Sequence, residues 1–110
     1  MSHVIVFVTA SSSEEAARIG RTLVDEQLAA CVNLIPSVAS TYRWRGQVED
    51  AAEALLIVKT RQDLVERLTR RVQALHSYTV PEVIALPVVG GNPEYLRWID
   101  DSVVPAQRSG

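Results

Sequence analysis

Residues 75 to 87 read LHSYTVPEVIALP and bring an imidazole, a phenol and a carboxylate into one short segment: His76, Tyr78 and Glu82. Imidazole can ligate a transition metal or exchange a proton near neutral pH. A phenol can donate a hydrogen bond and a carboxylate can accept one or neutralise a cation. Each group also has a structural reading. His76 follows the last apolar residue of a helical stripe, where unsatisfied carbonyls favour a capping side chain. A lone tyrosine packs its ring and wets its hydroxyl, and a glutamate at a strand start stays solvated. Three such groups converging in one linker still mark a candidate site.

Other chemistry-bearing residues lie in apolar surroundings. Cys31 is the single cysteine, so an internal disulfide is excluded, and without CxxC or HxxxH spacing a closed zinc site within one chain is not expected. A buried, inert thiol is the plainer reading. Asn33, Glu53 and Lys59 fall in strand-like segments where a buried charge needs a partner. Lys59 either pairs with a carboxylate or sits solvated at a strand end. In STYRWRG, Tyr42 and Trp44 share one face of a strand and Arg43 and Arg45 the other. The aromatic pair suits an interface first and a stacking platform for a ligand second. The serines cluster at Ser11 to Ser13, where helix capping explains them, and neither a GxSxG elbow nor a phosphate-cradling glycine loop is present. These features describe a binding module, not an enzyme.

The elements that must position these groups are legible from spacing. Val4 to Ala10 is a continuous β-branched run suited to the middle of a sheet. Ser11 with Glu14, or Ser12 with Glu15, forms a capping box for a helix running to about Ala30. Residues 31 to 45 and 47 to 60 are strand-like around Gly46, predicting a hairpin, with Pro36 marking a bulge or edge. Thr60 and Asp63 predict the cap of a second helix whose stripe is Leu64, Leu68, Val72 and Leu75. Pro81 enforces an extended entry to a strand from Val83 to about Pro87. Asn92 and Pro93 open a last helix carrying Tyr95, Trp98 and Ile99, and VPAQRSG, residues 104 to 110, reads as a frayed tail.

The order β-α-β-β-α-β with a terminal helix predicts an α+β, ferredoxin-like domain spanning residues 1–110, with an antiparallel sheet. Hairpin arms of about 13 residues span roughly 40 Å, more than the ~26 Å diameter expected of such a domain. The hairpin should protrude, and its exposed edges predict a closed oligomer.

Composition sets the outer bounds. The chain has 110 residues, 47% of them hydrophobic and 22% charged, with a formal net charge of -2. No apolar run reaches the length of a membrane span, and the charge offers no general attraction to nucleic acid or an anionic bilayer. Arg67, Arg70 and Arg71 stand four residues from acidic partners or near them, as on a solvated helix face. MSH leads directly into an apolar strand without a signal-like region, predicting a cytoplasmic protein.

The stretches LAACVNLIP (28 to 36), STYRWRG (40 to 46), EALLIVKT (53 to 60), LHSYTVPEVIALPV (75 to 88) and YLRW (95 to 98) together resemble the CutA divalent-cation tolerance proteins from about Val4 to Asp100. The resemblance implies a cytoplasmic, PII-like homotrimer in which long hairpins extend neighbouring sheets. It implies tolerance of divalent cations, copper above all, without an established catalytic activity. The family's motif residues map onto Cys31, Asn33, Tyr42, Trp44, Lys59, His76, Tyr78, Glu82 and Trp98, in a cleft between subunits. Val8 and Leu75 stand where proposed family copper ligands include a cysteine and a second histidine, and Ser77 stands where a proline is usual. A weak Cu(II) site would then rest on His76, joined by Cys31 or Glu82. A PII-like sensor of a small anionic molecule and a non-catalytic trimeric scaffold are the alternatives.

Overall fold

The computed structural model describes residues 2–105. Its elements are β1 (His3–Ala10), α1 (Ser13–Asp25), β2 (Cys31–Trp44), β3 (Gln47–Arg61), α2 (Val65–Leu75), β4 (Val83–Pro87) and α3 (Pro93–Ser102). The sheet order is β2-β3-β1-β4, and each neighbouring pair is antiparallel. The ferredoxin-like α+β arrangement expected from the element order is therefore present.

Strand β1 is central because both edges are paired: Val6 opposes Val58 on β3 and Ala85 on β4. Its alternation sends Val4, Val6 and Val8 to the helix-covered face, where they meet Leu56 and Val58 of β3, Ile19 and Leu23 of α1, and Leu68 and Val72 of α2. The absence of a side chain at Gly20 lets α1 approach the sheet, since a Cβ there would stand 3.0 Å from a Val32 methyl. Gly20→Leu is expected to force α1 off β2 and cost about 1–3 kcal/mol; urea denaturation checks this, and an unchanged midpoint would refute the close packing.

On the opposite sheet face, part of the apolar surface stays open among the described residues. Ile84 is 54% and Leu86 43% exposed there, and Ile35 joins them. The hairpin of β2 and β3 extends beyond the body, and the overall dimensions are 45 × 30 × 24 Å.

Three local expectations need correction. Helix α1 ends at Asp25, not near Ala30. Gln27 takes a left-handed conformation (φ 60°), so that the Leu28 N–H reaches the Leu23 carbonyl at 2.9 Å and the Gln27 N–H the Val24 carbonyl at 3.0 Å. This reciprocal closure ends the helix and turns Leu28 and Ala29 into the core. Thr60 and Asp63 do not cap α2, which follows a 3-10 turn at Gln62–Leu64. Thr60 instead donates its hydroxyl hydrogen bond to the Leu28 carbonyl, and Asp63 accepts from the buried Arg61 guanidinium. The expectation of a frayed tail fails at its first residue, Val104. The Val104 N–H donates to Gln27 and its carbonyl accepts from Arg61, while residues 106–110 lie outside the described part.

Candidate functional site

The linker between α2 and β4 is held from beneath by two polar side chains. The His76 side chain is fully shielded from solvent. Its Nδ1 accepts from the Tyr78 N–H at 3.0 Å, so Nε2 carries the proton and donates to the Thr9 carbonyl at 2.7 Å. Both ring nitrogens are thereby occupied, and neither offers a free lone pair to a metal. The helix-capping alternative fares little better, because the ring reaches across to β1 and only the His76 backbone N–H returns to α2, at Val72.

Glu15 is the second support. Ser12 caps α1 by accepting from the Glu15 N–H, while the Glu15 carboxylate accepts from the N–H and hydroxyl of Ser11 and, at 2.7 Å, from the Ser77 N–H. Burial alone would raise its pKa. The hydrogen bonds from Ser77 and Ser11 outweigh that penalty and hold the carboxyl down at about 2. A buried carboxylate thus ties the start of α1 to the end of α2.

Above this base lies a cleft of about 450 Å³ whose walls include Tyr42, Trp44, Glu53, Tyr78 and Glu82. The Tyr78 hydroxyl donates to Glu53 at 2.8 Å, which supplies the partner that a carboxylate in an apolar strand requires. Burial, followed by this bond, pushes the Tyr78 phenol up, so it remains a donor at neutral pH. Burial and the nearby Glu53 also raise the Glu82 pKa. Like charges sharing a cleft resist simultaneous ionisation.

The hairpin aromatics reach this cleft because of one irregularity. Register shifts between Ile35, which opposes Leu55, and Val38, which opposes Glu53. The extra residue in this Pro36-containing bulge reverses the inside-outside alternation. Tyr42 and Trp44 consequently share the face of Glu53; with a regular ladder, Arg43 and Arg45 would occupy it.

The remaining expected site residues gather elsewhere. Cys31 pairs with Lys59 across the strands, whereas Thr9, which receives His76, pairs with Leu55 farther along β3. About 13 Å of strand separates the two positions. Lys59 donates to Asn33 and lies 3.9 Å from the Cys31 sulfur, so its partners within the chain are an amide and a thiol. Burial raises the Tyr95 phenol pKa, with a contribution from nearby Cys31, and Trp98 packs against Tyr95 with centroids 5.4 Å apart. Within one chain the expected cleft is therefore two clusters: Tyr42, Trp44, Tyr78 and Glu82 in one, Cys31, Asn33, Lys59 and Trp98 in the other. His76, Cys31 and Glu82 do not converge as a metal shell, and no group of three or more His, Cys, Asp or Glu does so among the described residues.

Sequence spacing did not reveal the roles of Glu15 and Glu53 in this site. Their partners Ser77 and Tyr78 are far away in sequence, and only the polar residue in an apolar strand hinted at Glu53.

Residues 4–102 match the family model described as CutA1 divalent ion tolerance protein. The protein named Divalent-cation tolerance protein CutA in Thermus thermophilus is 49% identical over 89% of this chain and 95% of its own length. Protein CutA, chloroplastic, of Arabidopsis thaliana is 48% identical over 90% of this chain, which spans only 54% of that relative. The solved structure of CutA1 from Oryza sativa superposes with a TM-score of 0.93 at 45% identity, covering 96% of this chain and 97% of the other.

Proposed function

The chain belongs to the CutA1 divalent ion tolerance protein family, and from that premise we propose that it is a homotrimer that binds a divalent cation weakly in the Glu53–Glu82 cleft. The observation carrying this reading is the pair of acidic groups in one cleft, with Glu82 raised by burial and by Glu53. A divalent cation would relieve their repulsion. The available side-chain donors are oxygens, with water required to complete a shell, which favours weak binding. Copper(II) belongs among the candidates because it heads the divalent affinity order. His76 supports Tyr78 and does not ligate the cation.

The open apolar face with Ile84 and Leu86 supports assembly; threefold closure follows the family resemblance. A cytoplasmic location accords with the free thiol of Cys31. We read the role as binding, in keeping with a family described by tolerance of divalent ions.

Native mass spectrometry should give a trimer, and a monomer at micromolar concentration would overturn the assembly. Calorimetric titration with Mn(II) and Cu(II) should show weak uptake that falls about tenfold or more in Glu53→Gln/Glu82→Gln, a loss of about 1.4 kcal/mol or more. Equal affinities in the variant and the parent would remove the cation from this cleft.

A further inference from the structure

We propose that the cleft takes a small organic dication of the aliphatic diamine class, held by Glu53 and Glu82 and flanked by the rings of Tyr42 and Trp44. This rests on the reading of the cleft as a cation site and specifies a ligand whose shape uses its aromatic walls.

The cleft's charge is one-sided. Among the described residues its lining contains two glutamates and no Lys, Arg or His; the Arg45 guanidinium lies over the Trp44 wall and is not paired with either acid. The Tyr78 hydroxyl satisfies part of Glu53 without neutralising it. A volume of about 450 Å³ falls within the range of small-molecule sites, and three aromatic side chains contribute to its lining. Aromatic faces attract ammonium and guanidinium groups through the ring quadrupole. They offer much less to a metal ion enclosed in its own water.

The hairpin provides an independent sign that this aromatic surface accepts an organic cation. The Arg45 guanidinium carbon lies 5.7 Å from the centroid of the Trp44 ring, within cation–π reach. The bulge after Ile35 directs Trp44 and Tyr42 to the Glu53 face. The same irregularity therefore combines aromatic surface with acidic charge. An alkyl chain between two ammonium groups can pack on the rings while its charged ends answer the two acids. A neutral molecule of the same length lacks the second interaction.

The test uses the full-length chain and calorimetric titration with 1,4-diaminobutane, 1,4-butanediol and Mn(II) in parallel. The diamine should bind saturably and the diol should not at the same concentrations. Glu53→Gln/Glu82→Gln should weaken both the diamine and Mn(II) by about tenfold or more, while Trp44→Leu should weaken the diamine about tenfold and Mn(II) much less. Trp44→Phe, which retains an aromatic face, should recover most diamine affinity, and Tyr42→Leu provides a second aromatic deletion if Trp44→Leu fails to fold. Diamine binding no stronger than that of the diol, or unchanged in both aromatic deletions, overturns the proposal. Loss of Mn(II) binding in the acidic variant without parental diamine binding overturns the diamine alone. Insensitivity of both cations to the acidic substitutions overturns the cleft reading on which it rests.

Discussion

Glu15→Gln should lower folding stability by about 3 kcal/mol at pH 7, because a carboxyl held at about 2 against an ordinary 4.5 favours the folded, ionised state by that amount. The amide also places an NH₂ group where the parent carboxylate receives N–H groups from Ser11 and Ser77. The sign of the pH dependence follows from the depressed folded pKa. The stabilisation is present above about 4.5 and is lost as pH falls from there through about 2. Parent stability should therefore decline across this acidic range, while the Glu15 contribution to that slope disappears in the variant. Urea denaturation at fixed protein concentration, at pH 7 and pH 3, provides the check. An equal acid-induced loss in both proteins would place the sensitive carboxylate elsewhere.

His76→Ala should cost about 3 kcal/mol in a metal-free buffer containing a chelator. It removes a fully shielded ring and strands two partners, the Thr9 carbonyl and the Tyr78 N–H. The loss should remain nearly the same after adding a divalent cation. A histidine acting mainly as a ligand would give the opposite pattern: little loss without metal and a large loss with it. Paired denaturation curves with and without Cu(II), run also in the Glu53→Gln/Glu82→Gln background, separate these outcomes, and a metal-dependent difference that persists in that background would restore His76 as a ligand. The Tyr78–Glu53 bond should loosen along with the linker, so diamine binding should also weaken.

The fold was more legible than the site because its strongest signals are local. The β-branched run at Val4 to Ala10, Pro36 in the hairpin and Asn92 before Pro93 led to the observed strand, bulge and cap, with the Asn92 side chain accepting from the Glu94 N–H. Failures occurred where tertiary contact overrode a local pattern. Gln27 lacks the usual glycine signature of a left-handed helix end, yet burial of Leu28 and Ala29 keeps the turn there. Thr60 has a good capping side chain, but the Leu28 carbonyl in the interior takes its hydroxyl.

At the candidate site, spacing identified His76, Tyr78 and Glu82 but could not divide their roles. Local sequence cannot show that an imidazole's two nitrogens meet Thr9 and Tyr78, or that a glutamate in the first helix receives Ser77. The aromatic pair was placed on one strand face correctly. Which face it joined depended on how the Pro36 irregularity shifted the register, and that required the pairing with Glu53.

The sheet order β2-β3-β1-β4 also bears on how the chain emerges during synthesis. Its inner strand β1 is made before the other three, but one neighbour is completed only at Arg61 and the other at Pro87. At about 5–20 residues per second, the nascent chain carries the apolar β1 for several seconds before either edge can be fully paired. Helix α1 can shelter one face in that interval, while the backbone edges remain available to other chains. Ribosome-associated holding of β1 would therefore matter most before the hairpin closes, and slowing translation between β1 and β3 should increase aggregation of nascent chains without changing the stability of the finished protein.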